Sequence, residues 1–226
     1  MFNQRSYQAE LLDDTNIPKQ DLFQNLRELH TINTWLGGHQ ATLKALKKLC
    51  TKTDYTYRIL DVGCGGGDTL KVMADWGRKN NIQLKLVGVD LKQDCIEYAS
   101  AFCADYPEIT FERCDYRDLN QRETDIVVTS LFCHHLHEDE IIQLIGWSKE
   151  HAKMGMVIND LHRHPFAYYS IALLTSFFSK SYLVKHDAKL SVLRGFSLAD
   201  WKKITSTFKA EIKWCWAFRW LVMIPS

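Results

Sequence analysis

Cysteine pairs, long hydrophobic runs and a surplus of charge of either sign are all missing from this chain. Its seven cysteines, Cys50, Cys64, Cys95, Cys103, Cys114, Cys133 and Cys215, are odd in number and include no C-x-x-C pair. That argues against a disulfide framework and fits reduced thiols in a cytoplasmic protein. Lysine plus arginine number 28 against 27 acidic residues, a net charge of +1, and no basic tract of five or more occurs. The chain therefore carries no electrostatic footprint for nucleic acid. Its start, Met1-Phe2-Asn3-Gln4-Arg5, lacks an apolar h-region, so no secretory signal is expected. The longest greasy run, Phe166 to Phe178, is interrupted by Ser170, Thr175 and Ser176 and is too short to span a bilayer. These absences leave a small molecule as the expected partner, with neither nucleic acid nor membrane insertion.

What is present starts at Tyr57-Arg58-Ile59-Leu60-Asp61-Val62, a short apolar run that breaks into Gly63-Cys64-Gly65-Gly66-Gly67. Asp68 and Thr69 then open a segment with helical apolar spacing from Leu70 to Trp76. Strand, tight glycine turn and helix start form the opening unit of a doubly wound α/β sheet, and Asp68 is expected to cap the helix. A phosphate-cradling P-loop needs Lys and then Ser or Thr after its last glycine, and a dinucleotide fingerprint needs G-x-G-x-x-G. The chain offers Asp68-Thr69 and G-x-G-x-G, which fit neither.

Further strands are expected at residues 83–90, 109–113, 125–129 and 154–158, with helices between them. Glu211–Cys215 and Phe218–Ile224 should close the sheet as a hairpin. The expected fold is α/β: a doubly wound, mostly parallel seven-stranded, Rossmann-like sheet. The first fifty residues read as helices, through Leu22, Leu26, Leu29, Ile32 and Leu36, then Leu43, Leu46 and Leu49. Between Pro165 and Arg194 the strand–helix rhythm stops for an aromatic-rich helical insertion. The expected layout is a helical cap over residues 1–52 and a main domain over 53–226, with the insertion at 165–194 as further cover. The insertion could instead be a homodimer surface or plain core.

The stretch Asp61-Val62-Gly63-Cys64-Gly65-Gly66-Gly67 resembles motif I of the class I S-adenosylmethionine-dependent methyltransferases. That resemblance implies S-adenosylmethionine as cofactor and S-adenosylhomocysteine (SAH) as product. It implies a binding site built from Asp61, Gly63, Cys64, Gly65 and Gly67, from Asp90 and Leu91 after the second strand, and from Asp115 and Tyr116 after the third. Ser130 and Leu131, after the fourth, would lie near the sulfonium.

Beyond the fourth strand lies Phe132-Cys133-His134-His135-Leu136-His137. Metal binding is not expected there, because adjacent residues cannot easily converge on one ion and no second half with C-x-x-C or H-x₃-H spacing follows. The stretch resembles both the His-His-Leu of quinone-pathway C-methyltransferases and the Cys-His-Asp-Trp of plant phenolic O-methyltransferases. The second likeness makes His134 the base that removes a hydroxyl proton, although His135 stands where that family has Asp and Leu136 where it has Trp. His134 and His135 are thus the candidate catalytic residues, or they merely shape the pocket. After the fifth strand, Asn159-Asp160-Leu161-His162-Arg163-His164, with His186-Asp187 in the insertion, offers a second base, an orienting group or an anion clamp. His162, Arg163, His186 and Tyr169 are the candidate acceptor-binding residues.

Much of the chain resembles small-molecule methyltransferases of bacterial polyketide-type and phenolic-lipid pathways, including Leu11-Leu12-Asp13-Asp14 and Ile32-Asn33-Thr34-Trp35-Leu36-Gly37-Gly38. The function implied is methyl transfer to a small hydrophobic, hydroxylated aromatic acceptor, most readily at oxygen. C-methylation of a quinone-type ring and a non-catalytic cofactor-binding protein are the alternatives.

Overall fold

The computed structural model describes residues 1–14, 16–119 and 123–226. Two N-terminal helices, α1 (Lys19–Trp35) and α2 (His39–Leu49), precede the sheet. Then follow β1 (Thr56–Val62), α3 (Asp68–Asn80), β2 (Gln83–Asp90), α4 (Gln93–Phe102), β3 (Ile109–Arg113), β4 (Thr124–Ser130), α5 (Glu138–His151) and β5 (Ala152–Leu161). Helices α6 (Pro165–Phe178) and α7 (Tyr182–Arg194) come next, and α8 (Leu198–Ile204), β6 (Glu211–Cys215) and β7 (Arg219–Ile224) close the chain.

The seven strands run in the order β3-β2-β1-β4-β5-β7-β6. All neighbours pair in parallel except β7, which is antiparallel to both β5 and β6. Central strands of such a sheet are covered on both faces and read as unbroken apolar runs, which is what Ile126-Val127-Val128 in β4 supplies. Because side chains alternate along a strand, Ile59, Ile126 and Val128 pack on one face with Leu46, Leu70 and Met73. Leu60 and Val127 point the other way, onto Ile141, Leu144, Ile145 and Trp201.

Strand order reverses between β1 and β4, so a crevice opens beyond their carboxyl ends, where ligands of doubly wound sheets bind. β5 is longer than the expected 154–158 and takes in Asn159 and Asp160, both fully buried. The helix after the glycine turn differs from expectation in its cap. Gly67 is the N-cap, at φ +75°, so Asp68 falls inside the first turn. Its Oδ1 accepts only the Thr69 amide, while Oδ2 turns toward His39 (3.4 Å), Asn33 (3.4 Å) and His30 (3.8 Å). At α8 the cap is Ser197, which forms a reciprocal capping box with Asp200.

Candidate functional site

A cavity of about 430 Å³ occupies the crevice. All the residues expected to hold the cofactor line it except Gly67. A Cβ on Gly67 would come within 2.8 Å of Phe111, so that glycine serves helix packing rather than the cavity wall. Gly63 and Gly65, at φ +71° and +51°, let the turn double back. At Gly63 a Cβ would come within 2.2 Å of Phe132, whereas at Gly65 it would meet nothing within 4 Å, so bare backbone faces the open cavity there.

Asp90 ends β2 and fixes the turn from the side. Its Oδ2 accepts the Gly65 amide at 3.0 Å and its Oδ1 the Lys92 amide at 2.9 Å, which leaves lone pairs on both oxygens for a diol. Asp61 is buried on the cavity wall, and its Oδ1 has no hydrogen-bond partner. Burial, followed by the charges of Asp68 and Asp90, pushes its carboxyl well above the usual range. An oxygen in that condition is a vacancy for a donor that the protein does not itself provide. Asp115 is more committed: its Oδ1 accepts both the amide and Nε of Arg117, each at 2.9 Å, capping the turn Tyr116–Asp118. Tyr116 sets its ring edge-on to Trp147. An open glycine backbone, a diol acceptor at the second strand end and an orphaned buried carboxylate together suit an aminoacyl nucleoside such as S-adenosylmethionine.

A second cavity, of about 370 Å³, lies between α1, α6, α7 and the β6–β7 turn. Leu12, Leu29, Asn33, Leu131 and His135 line both cavities, so the two meet at this seam. His134 lines only the second and is buried. Its Nδ1 lies 2.8 Å from Asp160 Oδ1, and its backbone amide donates to Asp160 Oδ2 at 3.2 Å. Burial alone would raise the Asp160 carboxyl. The His134 ring, the Leu161 amide and the Arg219 guanidinium outweigh that and hold it below the usual carboxylate range. With Asp160 ionised, Nδ1 carries the hydrogen and Nε2 keeps its lone pair.

Glu10 stands 3.8 Å from that Nε2 and was not singled out from the sequence. It accepts from the Ser191 hydroxyl at 2.9 Å, and burial pushes its carboxyl up to about 7 against the pull of His135, Ser191 and Arg194. The segment carrying Glu10 is tied down by distant partners. The amides of Leu11 and Leu12 donate to the two oxygens of Asp187, both at 2.9 Å. Arg5 reaches the carbonyls of Arg194, His134 and Leu136. His135 places Nδ1 at 3.0 Å from Asp13.

Three of the expected acceptor-binding residues stand away from both cavities. Arg163 is buried, and its guanidinium is spent on the carbonyls of Phe2 and Gly195 and on Asp200 at 2.9 Å. Held there, it lines neither cavity. Tyr169 lies on the outer face of α6 and is exposed. His186 pairs with Asp187 at 2.7 Å behind the wall. His162 does line the second cavity. It accepts from Trp214 Nε1 at 3.2 Å, and burial, then His164 and Arg163, lower its pKa to about 4, which keeps it neutral.

Two trios, Glu10–His134–His135 and His30–His39–Asp68, each bring one ligand-type atom per residue within 4.8 Å of one another. In the first trio the adjacent His134 and His135, expected not to converge easily, do so with Glu10 from elsewhere in the chain. In each trio a buried arginine already faces the acid: Arg194 stands 3.7 Å from Glu10, and Arg219 acts on both Asp68 and His39.

Residues 59–155 match the family described as "Methyltransferase domain". No curated protein matches the sequence. Among solved structures, the plantazolicin methyltransferase BpumL in complex with SAH superposes with a TM-score of 0.64 at 15% identity, over 92% of this chain and 95% of that one. The pyocyanin biosynthetic protein PhzM gives 0.58 at 17% identity, over 85% and 55%. The citrinin polyketide synthase CMeT domain gives 0.57 at 15% identity, over 80% and 49%, so this chain spans about half of that one. These likenesses are of fold, and they agree with the glycine turn and strand order described above. Residues 59–155 thus carry the likeness to a methyltransferase domain, and the sheet around them has the fold of these methyltransferase structures.

Proposed function

We propose that the chain methylates a hydroxyl of a small hydrophobic, hydroxylated aromatic acceptor held in the second cavity. Asp61, Gly63, Cys64, Gly65, Asp90, Leu91, Asp115, Tyr116, Ser130 and Leu131 would hold the cofactor, and residues 1–52 and 165–194 would cover the acceptor. The observation that carries this reading is the buried His134–Asp160 pair beside the seam of the two cavities.

S-adenosylmethionine, when bound, supplies an electrophilic methyl group. The protein's task is to present the acceptor oxygen and to relieve it of its proton. A phenol of pKa about 10 is only about 0.1% ionised at pH 7, a deficit of roughly 4 kcal/mol. His134 Nε2 takes that proton, while Asp160 fixes the tautomer and balances the charge that appears on the ring. Apolar walls from Leu29, Ile171 and Leu174 exclude water and hold the acceptor in one pose.

The test is methyl transfer from labelled cofactor to a panel of hydroxylated aromatics and quinones, with NMR of the product to locate the new methyl group. Methylated oxygen, lost in His134→Ala with SAH binding intact, is the expected result. A product bearing the methyl on ring carbon would replace this reading with C-methylation. Full turnover by His134→Ala would remove the base.

A further inference from the structure

Helix α6 is apolar on two sides, and only one of them has a use in the fold. Ala167, Ile171 and Leu174 face the second cavity. Phe166, Tyr169, Leu173 and Phe177 recur at steps of three, four and four, one stripe of the helix, and Phe178 extends it. All five are between 62% and 75% exposed, a run of large side chains that an isolated surface rarely carries.

The charge around this stripe is one-sided. Between Leu161 and His186 the chain has no aspartate or glutamate, and its exposed charges there are Lys180 and Lys185. Of the acids on packed elements, Glu28 is spent on the amides of Lys180 and Ser181 and on the Ser179 hydroxyl, Asp187 is buried against the Leu11 and Leu12 amides, and Asp21 and Asp14 face Tyr182 at the start of α7. The stripe also runs into the mouth of the second cavity. Phe166 and Trp216 are both exposed and both line that cavity, and they gather on Phe218 at 5.8 and 6.1 Å between ring centroids.

We propose that the outer face of α6, with the tip of the β6–β7 turn, docks on an anionic membrane surface and takes its lipophilic acceptor from there. Aromatic rings settle at headgroup depth and lysine stems reach to anionic headgroups, which is the composition found here. A second protein chain seated on the same face would stopper the cavity mouth, whereas a lipid surface would feed it. The feeding role rests on the acceptor reading of the second cavity. Docking itself requires neither cofactor nor acceptor, so its failure would leave methyl transfer standing.

The experiment is co-sedimentation of the full chain with phosphatidylcholine vesicles containing phosphatidylglycerol. Wild type should sediment, and less so as salt rises. Phe177→Ser with Phe178→Ser should weaken partitioning by about tenfold or more, and Lys180→Glu with Lys185→Glu should do so without touching the aromatic stripe. Unchanged SAH binding heat and melting temperature identify folded variants. Wild type left in the supernatant, sedimentation unaffected by both variants, or a dimer in light scattering that the aromatic variant breaks would each overturn the proposal.

Discussion

Asp160→Asn tests the chemistry most directly, because it keeps the volume of the side chain and alters only its charge and acceptors. Asp160 accepts from the amide and Nδ1 of His134 and from the amide of Leu161 at 2.7 Å, and it lies within the field of Arg219. A carboxylate satisfies all three donors. A carboxamide has a single acceptor oxygen, and its NH₂ group must face at least one of them. If it faces Nδ1, the hydrogen on the imidazole moves to Nε2, and the nitrogen meant to take a proton no longer has a lone pair. General base catalysis contributes about 10²–10⁴-fold, so kcat should fall by that factor. A lost hydrogen bond to a charged group costs about 1.5–3 kcal/mol, so urea unfolding should show a loss of that size. SAH affinity, read by calorimetry, should stay at the wild-type value because Asp160 does not line the cofactor cavity. Turnover equal to wild type, or turnover and SAH affinity falling in proportion, would show that the pair is structural.

Four further outcomes follow from the same geometry. Gly63→Ala should unfold or empty the site, since its Cβ would sit 2.2 Å from Phe132, whereas Gly65→Ala should cost only the left-handed strain of about 1–2 kcal/mol yet still weaken SAH by intruding on the cavity. Asp90→Ala should weaken SAH about tenfold or more in calorimetry, and unchanged affinity would remove Asp90 from the site. Glu10 holds a proton up to about pH 7 when folded, against an ordinary value of 4.5, so the folded chain binds more protons between those values and stability should decline as pH rises through them. That component, at most about 3 kcal/mol, should vanish in Glu10→Gln, and identical pH–stability curves for the two proteins would disprove it. Arg163→Ala should destabilise the fold by about 1–3 kcal/mol by removing the donors to the Phe2 and Gly195 carbonyls and to Asp200, and an acceptor KM that rises without loss of stability would restore Arg163 as an anion clamp.

The strands and the glycine turn could be read in advance because each is written locally. Ile126-Val127-Val128 has no reason to be anything but a covered strand, and Gly63 and Gly65 mark a left-handed turn that other residues adopt only under strain. Asp68 misled because capping depends on the dihedrals of the residue before it, and Gly67 took the cap by turning left-handed. Arg163 is legible as a cation but not as a buried one, since its partner Asp200 arrives from the start of another helix. Glu10 carries no local mark at all. It becomes a buried acid only when α7 closes over it with Ser191 and Arg194.

The run from Arg5 to Asp13 is stitched to α7 and to the turn Cys133–His135, and it brings Glu10 and Leu12 to the edge of the second cavity, the space proposed for the acceptor. Its release and the filling of that space are therefore two readouts of one equilibrium. Whatever a bound acceptor contributes to holding the run in place must equal what the docked run contributes to holding the acceptor. Hydrogen exchange at the Leu11 and Leu12 amides would thus report acceptor affinity from a distance, with no methyl group having to move.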